Sequence, residues 1–286
     1  MHHSSRLKFE CFVETYIKED ADLASRSILD VGSRQVKEEA YSYRQALDGL
    51  DLKYTGLDLE AGFNVDIVPA NPYIWDEIEN ETFDYVISGQ AFEHNPFMWI
   101  TTAEIARVLK PGGAAFIIAP SAGGVHRFPF DCWRYYPDSW AALAALTQLD
   151  LVESIREPVQ VAETIRGGQW MDSVAILRKQ PFVNPAESED FYANLALIVA
   201  PFKIRRYDVV PAKLNEGPCY ARYMETAQRP GAKPAKPGGI RQATAKRAAA
   251  RGAGVEPGAT KHDAARERRQ AARRAARRQA RASGGQ

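Results

Sequence analysis

The sequence predicts an α/β fold with a doubly wound, mostly parallel β-sheet. Residues 28–31 place three apolar residues around Asp30, and Gly32 ends the run, as expected for a short buried strand that leads into a turn. Residues 54–59 repeat the pattern with Asp58, and residues 114–119 are apolar throughout, which is typical of a strand covered on both faces. Ligands of such sheets bind outside the carboxyl ends of the strands, so a binding site is expected there.

Periodicity and turn residues predict the remaining elements. Helices are expected at residues 5–24, 35–49, 98–109 and 139–148. Further strands are expected at residues 64–68, 83–91, 149–157 and 172–178.

Length and composition indicate a globular protein with a sizeable core. The chain has 286 residues, of which 45% are hydrophobic. Cys11, Cys132 and Cys219 lie far apart without metal-ligand spacing, so neither a disulfide framework nor a metal site is predicted. No apolar run is long enough to span a bilayer and the amino terminus lacks a signal-peptide pattern, so we expect a cytoplasmic protein. No chemistry is assigned to His2 or His3.

Charge is distributed unevenly along the chain. Residues 231–286 hold 15 basic and three acidic side chains, whereas the remaining 230 residues hold 22 basic and 33 acidic ones. Few apolar residues larger than alanine occur in this basic tail, so we expect it to be disordered. Its arginines would suit RNA, DNA or an acidic protein surface, and a solvated tail that aids solubility explains the same composition equally well.

Four motifs occur in a particular order. They are residues 28–34 with Asp30 and Gly32, residues 54–60 with Asp58, residues 83–94, and residues 107–113. Taken together, this part of the chain, roughly residues 25–180, resembles the class I S-adenosylmethionine-dependent methyltransferases, in particular a bacterial subgroup that acts on small molecules or glycans.

The resemblance implies a Rossmann-like sheet of seven strands with helices on both faces, the last two strands being antiparallel partners. It also implies three regions. Residues 1–180 would form the methyltransferase domain, residues 181–230 an extension docked on it, and residues 231–286 the disordered tail.

The same resemblance implies S-adenosylmethionine as the cofactor and a set of binding residues. Asp30 would face the cationic amino end, Gly32 would let the backbone approach, and Asp58 would bind the ribose hydroxyls. Asn71 stands where relatives carry an acid for the adenine amino group, although a local turn role is equally consistent. The complete predicted set is Asp30, Gly32, Ser33, Asp58, Leu59, Asn71, Gly89 and Gln90. Ser33 and its neighbours replace further glycines, which weighs against a dinucleotide site.

A loop at residues 123–138 is rich in aromatic and ionisable side chains, which favours a substrate lid; a packed surface loop is the alternative. The predicted substrate-binding residues are Arg127, Asp131, Trp133 and Arg134. His126 and His94 are candidate general bases because histidine titrates near neutral pH, and a structural role is equally open for His94. Similar segments in some glycan-associated bacterial methyltransferases hint at a sugar acceptor.

The predicted function is transfer of a methyl group from S-adenosylmethionine to a hydroxyl or amine of a small-molecule or glycan acceptor. One alternative is an inactive methyltransferase-like module that holds nucleic acid through the basic tail. A nucleotide-dependent oxidoreductase ranks last because the dinucleotide fingerprint is missing.

Overall fold

The computed structural model describes residues 2–35, 41–205, 207–212 and 216–227. The chain divides into two compact units, residues 1–211 and 212–286. The described part of the second unit contains one helix, α7 (Pro218–Ala227). The predicted basic tail at residues 231–286 lies outside the described residues.

The first unit contains a central sheet and six α-helices among its described residues. The strands are β1 (Ser27–Val31), β2 (Lys53–Leu57), β3 (Phe83–Gly89), β4 (Leu109–Ala119), β5 (Asp150–Arg156) and β6 (Ser173–Arg178). The helices are α1 (His3–Phe12), α2 (Tyr43–Ala46), α3 (Met98–Val108), α4 (Pro137–Thr147), α5 (Val159–Ala162) and α6 (Pro185–Ile204). No described helix is long and apolar enough to cross a membrane.

The strand order is β2-β1-β3-β4-β6-β5. The first four strands are parallel, whereas β6 runs antiparallel to both β4 and β5. The order reverses between β1 and β3, which is the switch point where ligands bind in open α/β sheets. The α/β class, the mostly parallel sheet and the antiparallel last pair are therefore confirmed.

The predicted number of seven strands is not confirmed. The described residues form six strands, and the segment 64–68 contributes a single bridge between Ile67 and Leu57 instead of a third strand. Asn64 adopts a left-handed φ of 69°, which bends the chain at the first residue of the segment. Asp66 then accepts a hydrogen bond from the Gly56 amide through its side chain, at 2.8 Å, so this donor of β2 is not available to a backbone ladder.

Helices cover both faces of the sheet because neighbouring strand residues point to opposite sides. On one face α1 and the π-helix Val13–Ile17 that continues it pack Phe9 and Phe12 against Phe116 of β4. On the other face α3, α4 and α6 form the larger core with Leu29. Buried side chains of this larger core include Trp75, Val86, Ile117, Trp140, Leu195 and Val199.

The predicted helix bounds differ from the observed ones near the amino terminus. The helix expected at residues 5–24 ends its regular α-helical part at Phe12 and continues as a π-helix to Ile17. Within the predicted helix at residues 35–49, the described residues form only the short α2, which Ser42 caps through a reciprocal hydrogen-bond pair with Gln45.

Candidate active site

A cleft of about 840 Å³ lies at the carboxyl ends of β1, β2 and β3. Most of the predicted cofactor residues line it, together with two residues from the predicted catalytic and substrate sets. These are Asp30, Gly32, Ser33, Asp58, Leu59, Gly89, Gln90, His94 and Arg127. Residues from separate motifs therefore meet in one space, because most of them follow parallel strands that end at the same edge.

Asp30 is 3% exposed and lies at the end of β1. The Tyr54 hydroxyl donates a 2.7 Å hydrogen bond to Asp30 Oδ2. The other oxygen, Oδ1, is buried without a hydrogen-bond partner among the described residues. Burial raises the pKa of Asp30 to about 7, against the lowering effect of the Tyr54 bond, and the nearby Asp58 charge raises it further. Asp30 therefore offers an unsatisfied carboxylate oxygen that suits a cationic ligand group.

Gly32 holds the turn after β1 with a φ of +82°. A Cβ built at this position would lie 2.6 Å from the Cβ of Ala91, so a side chain there would collide. Its amide donates a 2.8 Å hydrogen bond to the carbonyl of Leu57, which ties the turn to the end of β2. The turn is thus held open for a ligand next to Asp30.

Asp58 follows β2 and is oriented by backbone amides. Its Oδ2 accepts a hydrogen bond from the Arg34 amide at 2.9 Å, and its Oδ1 accepts one from the Leu59 amide at 2.7 Å. The side chain of Arg34 pairs with Glu60 at 2.5 Å, and both residues line the cleft. The backbone amide of Arg34, in the turn where further glycines are usual, therefore helps to position Asp58.

Asn71 lies in a local turn. Its Oδ1 accepts a hydrogen bond from the Tyr73 amide at 3.0 Å and its Nδ2 donates one to the Phe202 carbonyl at 3.3 Å. Tyr73 and Pro72, and not Asn71, line the cleft. The structure thus favours the turn role over the predicted adenine contact.

Gln90 connects the cleft to the amino terminus. It adopts a φ of +58° and donates a 3.1 Å hydrogen bond to Asp172, which is fully buried. His2 and the Ser4 hydroxyl contact the second oxygen of Asp172 at 2.8 and 2.9 Å. His2, to which the sequence analysis assigned no chemistry, therefore anchors α1 beside the cleft.

The opposite wall is built by the turn after β3 and the loop at residues 123–136. His94 Nδ1 lies 2.6 Å from the carbonyl oxygen of Phe130, and the His94 and His126 rings are 4.9 Å apart between centroids. Burial lowers the pKa of His94, although its contact with the Phe130 carbonyl raises it. Phe128 and Phe130 line the cleft with His94, so this wall is largely aromatic.

Glu93 is a further candidate that the sequence analysis did not select. It is 0% exposed, and neither carboxylate oxygen has a hydrogen-bond partner among the described residues. Burial raises its pKa to about 8. Its position beside His94 at a strand exit was the available signal, because a carboxylate there points towards the ligand edge of the sheet.

Two of the predicted substrate residues bind each other instead. Arg134 donates two hydrogen bonds to Asp131, at 2.5 and 2.8 Å, and the amide of His126 donates a third, at 2.7 Å. Burial opposes ionisation, yet these bonds lower the pKa of Asp131 to about 2. The pair fixes the loop and is not among the residues that line the cleft.

Trp133 is 36% exposed and donates a 2.9 Å hydrogen bond to the Asn95 carbonyl. Tyr135 is buried and stacks on Trp140 with centroids 4.5 Å apart. Of the four predicted substrate residues, the structure brings only Arg127 to the cleft wall. Most of the loop thus packs against the rest of the domain, and residues 127–130 are the part that lines the cleft.

Comparison with known proteins gives the class. Residues 29–117 match the family model described as a methyltransferase domain. Together with the sheet order, this match supports the similarity to the class I S-adenosylmethionine-dependent methyltransferases that the motifs indicated. The match supports S-adenosylmethionine as the cofactor, and the Asp30 oxygen that has no hydrogen-bond partner among the described residues would suit its cationic amino end.

The particular relatives are O-methyltransferases. The chain is 32% identical over 109 residues to a ubiquinone biosynthesis O-methyltransferase of Saccharophagus degradans, a match that covers 35% of this chain and 46% of that protein. It is 29% identical over 124 residues to the protein of the same name from Nitrosococcus oceani, covering 41% and 50%. The chain thus spans about half the length of the curated relatives it matches.

Solved structures of methyltransferases are also similar. The 1,6-didemethyltoxoflavin-N1-methyltransferase of Burkholderia thailandensis, solved with S-adenosylhomocysteine, is 16% identical with a TM-score of 0.46, covering 62% of this chain and 79% of that one. A putative methyltransferase of Bacillus halodurans is 15% identical with a TM-score of 0.44, covering 63% and 100%.

Proposed function

We propose that this protein transfers the methyl group of S-adenosylmethionine to a hydroxyl of a small-molecule or glycan acceptor. The observation that carries the proposal is the cleft in which Asp30, Gly32 and Asp58 meet, with an unsatisfied carboxylate oxygen on Asp30. The relatives named as O-methyltransferases support a hydroxyl acceptor over an amine.

Each part of the cleft has a distinct role in this proposal. Asp30 binds the amino end of the cofactor, and Asp58, held by two backbone amides, accepts hydrogen bonds from the ribose hydroxyls. The bound cofactor supplies an electrophilic methyl group on a positively charged sulfur. The aromatic wall at Phe128 and Phe130 stacks on the ring of the acceptor and excludes water from the reacting oxygen.

The chemistry of the transfer asks little of the protein beyond alignment. The acceptor oxygen forms a bond to the methyl carbon while the sulfur–carbon bond breaks, and S-adenosylhomocysteine leaves. The hydroxyl proton must go to a base or be lost beforehand. His94, which lines the cleft, and His126, whose ring is 4.9 Å from it, are the proposed activating residues.

Calorimetric titration of the full chain tests the cofactor assignment. We expect S-adenosylmethionine and S-adenosylhomocysteine to bind in the micromolar range and NAD not to bind. A chain that binds none of the three would contradict the proposal. Acceptors with sugar hydroxyls and with phenolic hydroxyls are then compared, with methyl transfer measured as S-adenosylhomocysteine formed.

The alternative of a nucleic-acid-binding module rests on residues 231–286, which the structure does not describe, and no observation in the described residues favours it. The cytoplasmic location expected from the sequence stays a prediction.

A further inference from the structure

Glu93, His94 and His126 bring three potential metal-ligand atoms within 4.8 Å of one another. Glu93 and His94 lie on the 3-10 turn after β3, and His126 comes from the loop that faces this turn. Only His94 of the three lines the cleft, so the cluster lies directly behind the wall next to the proposed acceptor space. Binding of the cofactor's amino end and ribose does not require this arrangement.

Glu93 gives the first reason to expect a cation. Its carboxylate is 0% exposed, and both oxygens lack a hydrogen-bond partner in the described part of the chain. An ionised carboxylate that is buried without a hydrogen-bond partner is costly because it loses its hydration, and only the Arg134 charge and a backbone contact favour the ionised form of Glu93. A positive ion bound between Glu93 and the histidines would remove this cost.

His94 is already oriented as a metal ligand usually is. His94 Nδ1 points at the Phe130 carbonyl, 2.6 Å away, so this nitrogen carries the proton and Nε2 keeps its lone pair, 3.7 Å from Glu93 Oε1. His126 Nδ1 is buried without a hydrogen-bond partner among the described residues, 3.4 Å from Asp131 Oδ2. A carbonyl such as that of Phe130 is a usual outer partner that fixes the ring of a ligating histidine, and His126 Nδ1 is left without one.

We propose that Glu93, His94 and His126 bind a divalent transition-metal cation beside the acceptor part of the cleft. One carboxylate and two imidazoles are a frequent ligand set of catalytic Zn²⁺ and of other first-row cations, and three protein ligands leave a coordination position open. Ligand atoms in such sites lie about 2.0–2.2 Å from the ion, so the three atoms, now within 4.8 Å of one another, would have to move closer together on binding.

The open position gives the site its role, and this step rests on the proposed function. A cation held by Glu93, His94 and His126 would offer this position to an acceptor hydroxyl, and as a Lewis acid it would lower the pKa of that hydroxyl. The hydroxyl would lose its proton to solvent, and its oxygen would form a bond to the methyl carbon while the sulfur–carbon bond breaks and S-adenosylhomocysteine leaves. His94 and His126 would then act by holding the cation and not as general bases.

Metal binding is measured directly, without any acceptor. The full chain is treated with a chelator, dialysed, and titrated with ZnCl₂ by calorimetry and with CoCl₂ by visible absorption, which reports the ligand geometry. We expect one Zn²⁺ per chain. E93Q, H94Q and H126Q should each weaken Zn²⁺ binding by more than about tenfold, since even outer-sphere changes cost about 10- to 100-fold.

H3Q is the matched control, because His3 is an exposed histidine on α1 that is distant in sequence from the cluster. It should leave the Zn²⁺ affinity unchanged. S-adenosylhomocysteine titration of every variant checks that the cofactor domain is folded. H126Q should affect folding least of the three substitutions, because the His126 side chain is 39% exposed.

Two results would overturn the metal site. One is a wild-type chain that binds S-adenosylhomocysteine but neither Zn²⁺ nor Co²⁺. The other is metal binding that persists undiminished in all three cluster variants, whether or not H3Q changes it. Failure of S-adenosylhomocysteine to bind the wild-type chain would instead contradict the proposed function and is read from a separate titration.

Discussion

The hydroxyl of Tyr54 on β2 donates a 2.7 Å hydrogen bond to Asp30 Oδ2 on the neighbouring strand β1. This bond occupies one oxygen of a buried carboxylate and leaves the other without a partner among the described residues, at the edge of the cleft. A carboxylate that is held in place but only half satisfied is organised for a ligand that donates hydrogen bonds and carries positive charge.

Asp30→Asn tests this relationship by removing the charge while keeping the shape of the side chain. Because hydrogen bonds to charged groups contribute about 1.5–3 kcal/mol, S-adenosylhomocysteine affinity should fall by about 10- to 100-fold in calorimetric titration. Asp84→Asn is the matched control. Asp84 is also buried, but it lies at the other end of the sheet and pairs with Lys110. It should lose stability and keep its affinity; an equal loss of affinity in both variants would argue against a specific contact.

The same carboxyl group predicts a pH dependence of cofactor binding. The pKa of Asp30 is raised to about 7, whereas in an unfolded chain it titrates near pH 4. Between these values the folded state holds the extra proton, so the stability of the ligand-free protein falls as pH rises through this range. Ionised Asp30 is the form that binds a cationic amino group, so affinity should increase between about pH 6 and 7.5.

Titration in buffers of different ionisation enthalpy measures this effect, because binding near pH 6.5 should release protons from wild-type protein. Asp30→Asn lacks the titrating group and should bind with little pH dependence over the same range. Identical pH profiles for the two proteins would assign the dependence to another group.

Asp58→Ala should weaken S-adenosylhomocysteine binding by about tenfold or more, because the ribose loses an acceptor that two backbone amides hold in position. A thermodynamic cycle isolates the contact. An analogue without the ribose hydroxyls should bind wild type and Asp58→Ala equally, since neither complex contains the interaction. If the variant weakens both ligands to the same extent, Asp58 does not bind the ribose.

Gly32→Ala is expected to destabilise the protein through both conformation and contact. Gly32 has a φ of +82°, and a Cβ there meets Ala91 at 2.6 Å. Gly112 has a similar φ of +89°, and a Cβ added there would meet no atom within 4 Å. Gly112→Ala therefore reports the backbone strain alone, about 1–2 kcal/mol in the free energy of unfolding.

Chemical denaturation should show a larger loss for Gly32→Ala than for Gly112→Ala, and only the former should also weaken S-adenosylhomocysteine binding. The double variant Gly32→Ala with Ala91→Gly relieves the contact and should recover the difference between the two single variants. Equal losses in both single variants would show that the turn tolerates the methyl group.

The strands and the residues at their ends could be predicted from the sequence because both depend on the pattern of neighbouring residues. Apolar runs that end in Asp30 and Asp58 placed both acids at one edge of a parallel sheet, and both line the cleft. The prediction of a third strand at residues 64–68 was wrong because strand formation depends on pairing with another segment. The Gly56 amide donates a hydrogen bond to the side chain of Asp66, and within residues 64–68 only Ile67 forms a β-bridge.

The loop at residues 123–138 shows the limit of composition. Arginine and aspartate in an aromatic loop looked like substrate ligands, yet Arg134 and Asp131 satisfy each other. An arginine and an aspartate that lie close enough to pair with each other are not available to a ligand. The sequence spacing of the two residues does not show whether they pair. Arg127, seven residues before Arg134, is the one that reaches the cleft wall.

By itself, the sequence determined the α/β class and the position of Asp30 and Asp58 at the edge of the sheet where the cleft lies, because both follow from short-range patterns at strand ends. Tertiary structure alone decided which polar groups remain unsatisfied. Glu93, His94 and His126 are 33 residues apart at most, and nothing in their spacing indicates a cluster. Folding buries Glu93 without a hydrogen-bond partner among the described residues and brings the imidazole of His126 to Glu93 and His94, and desolvation makes this carboxylate a candidate ligand.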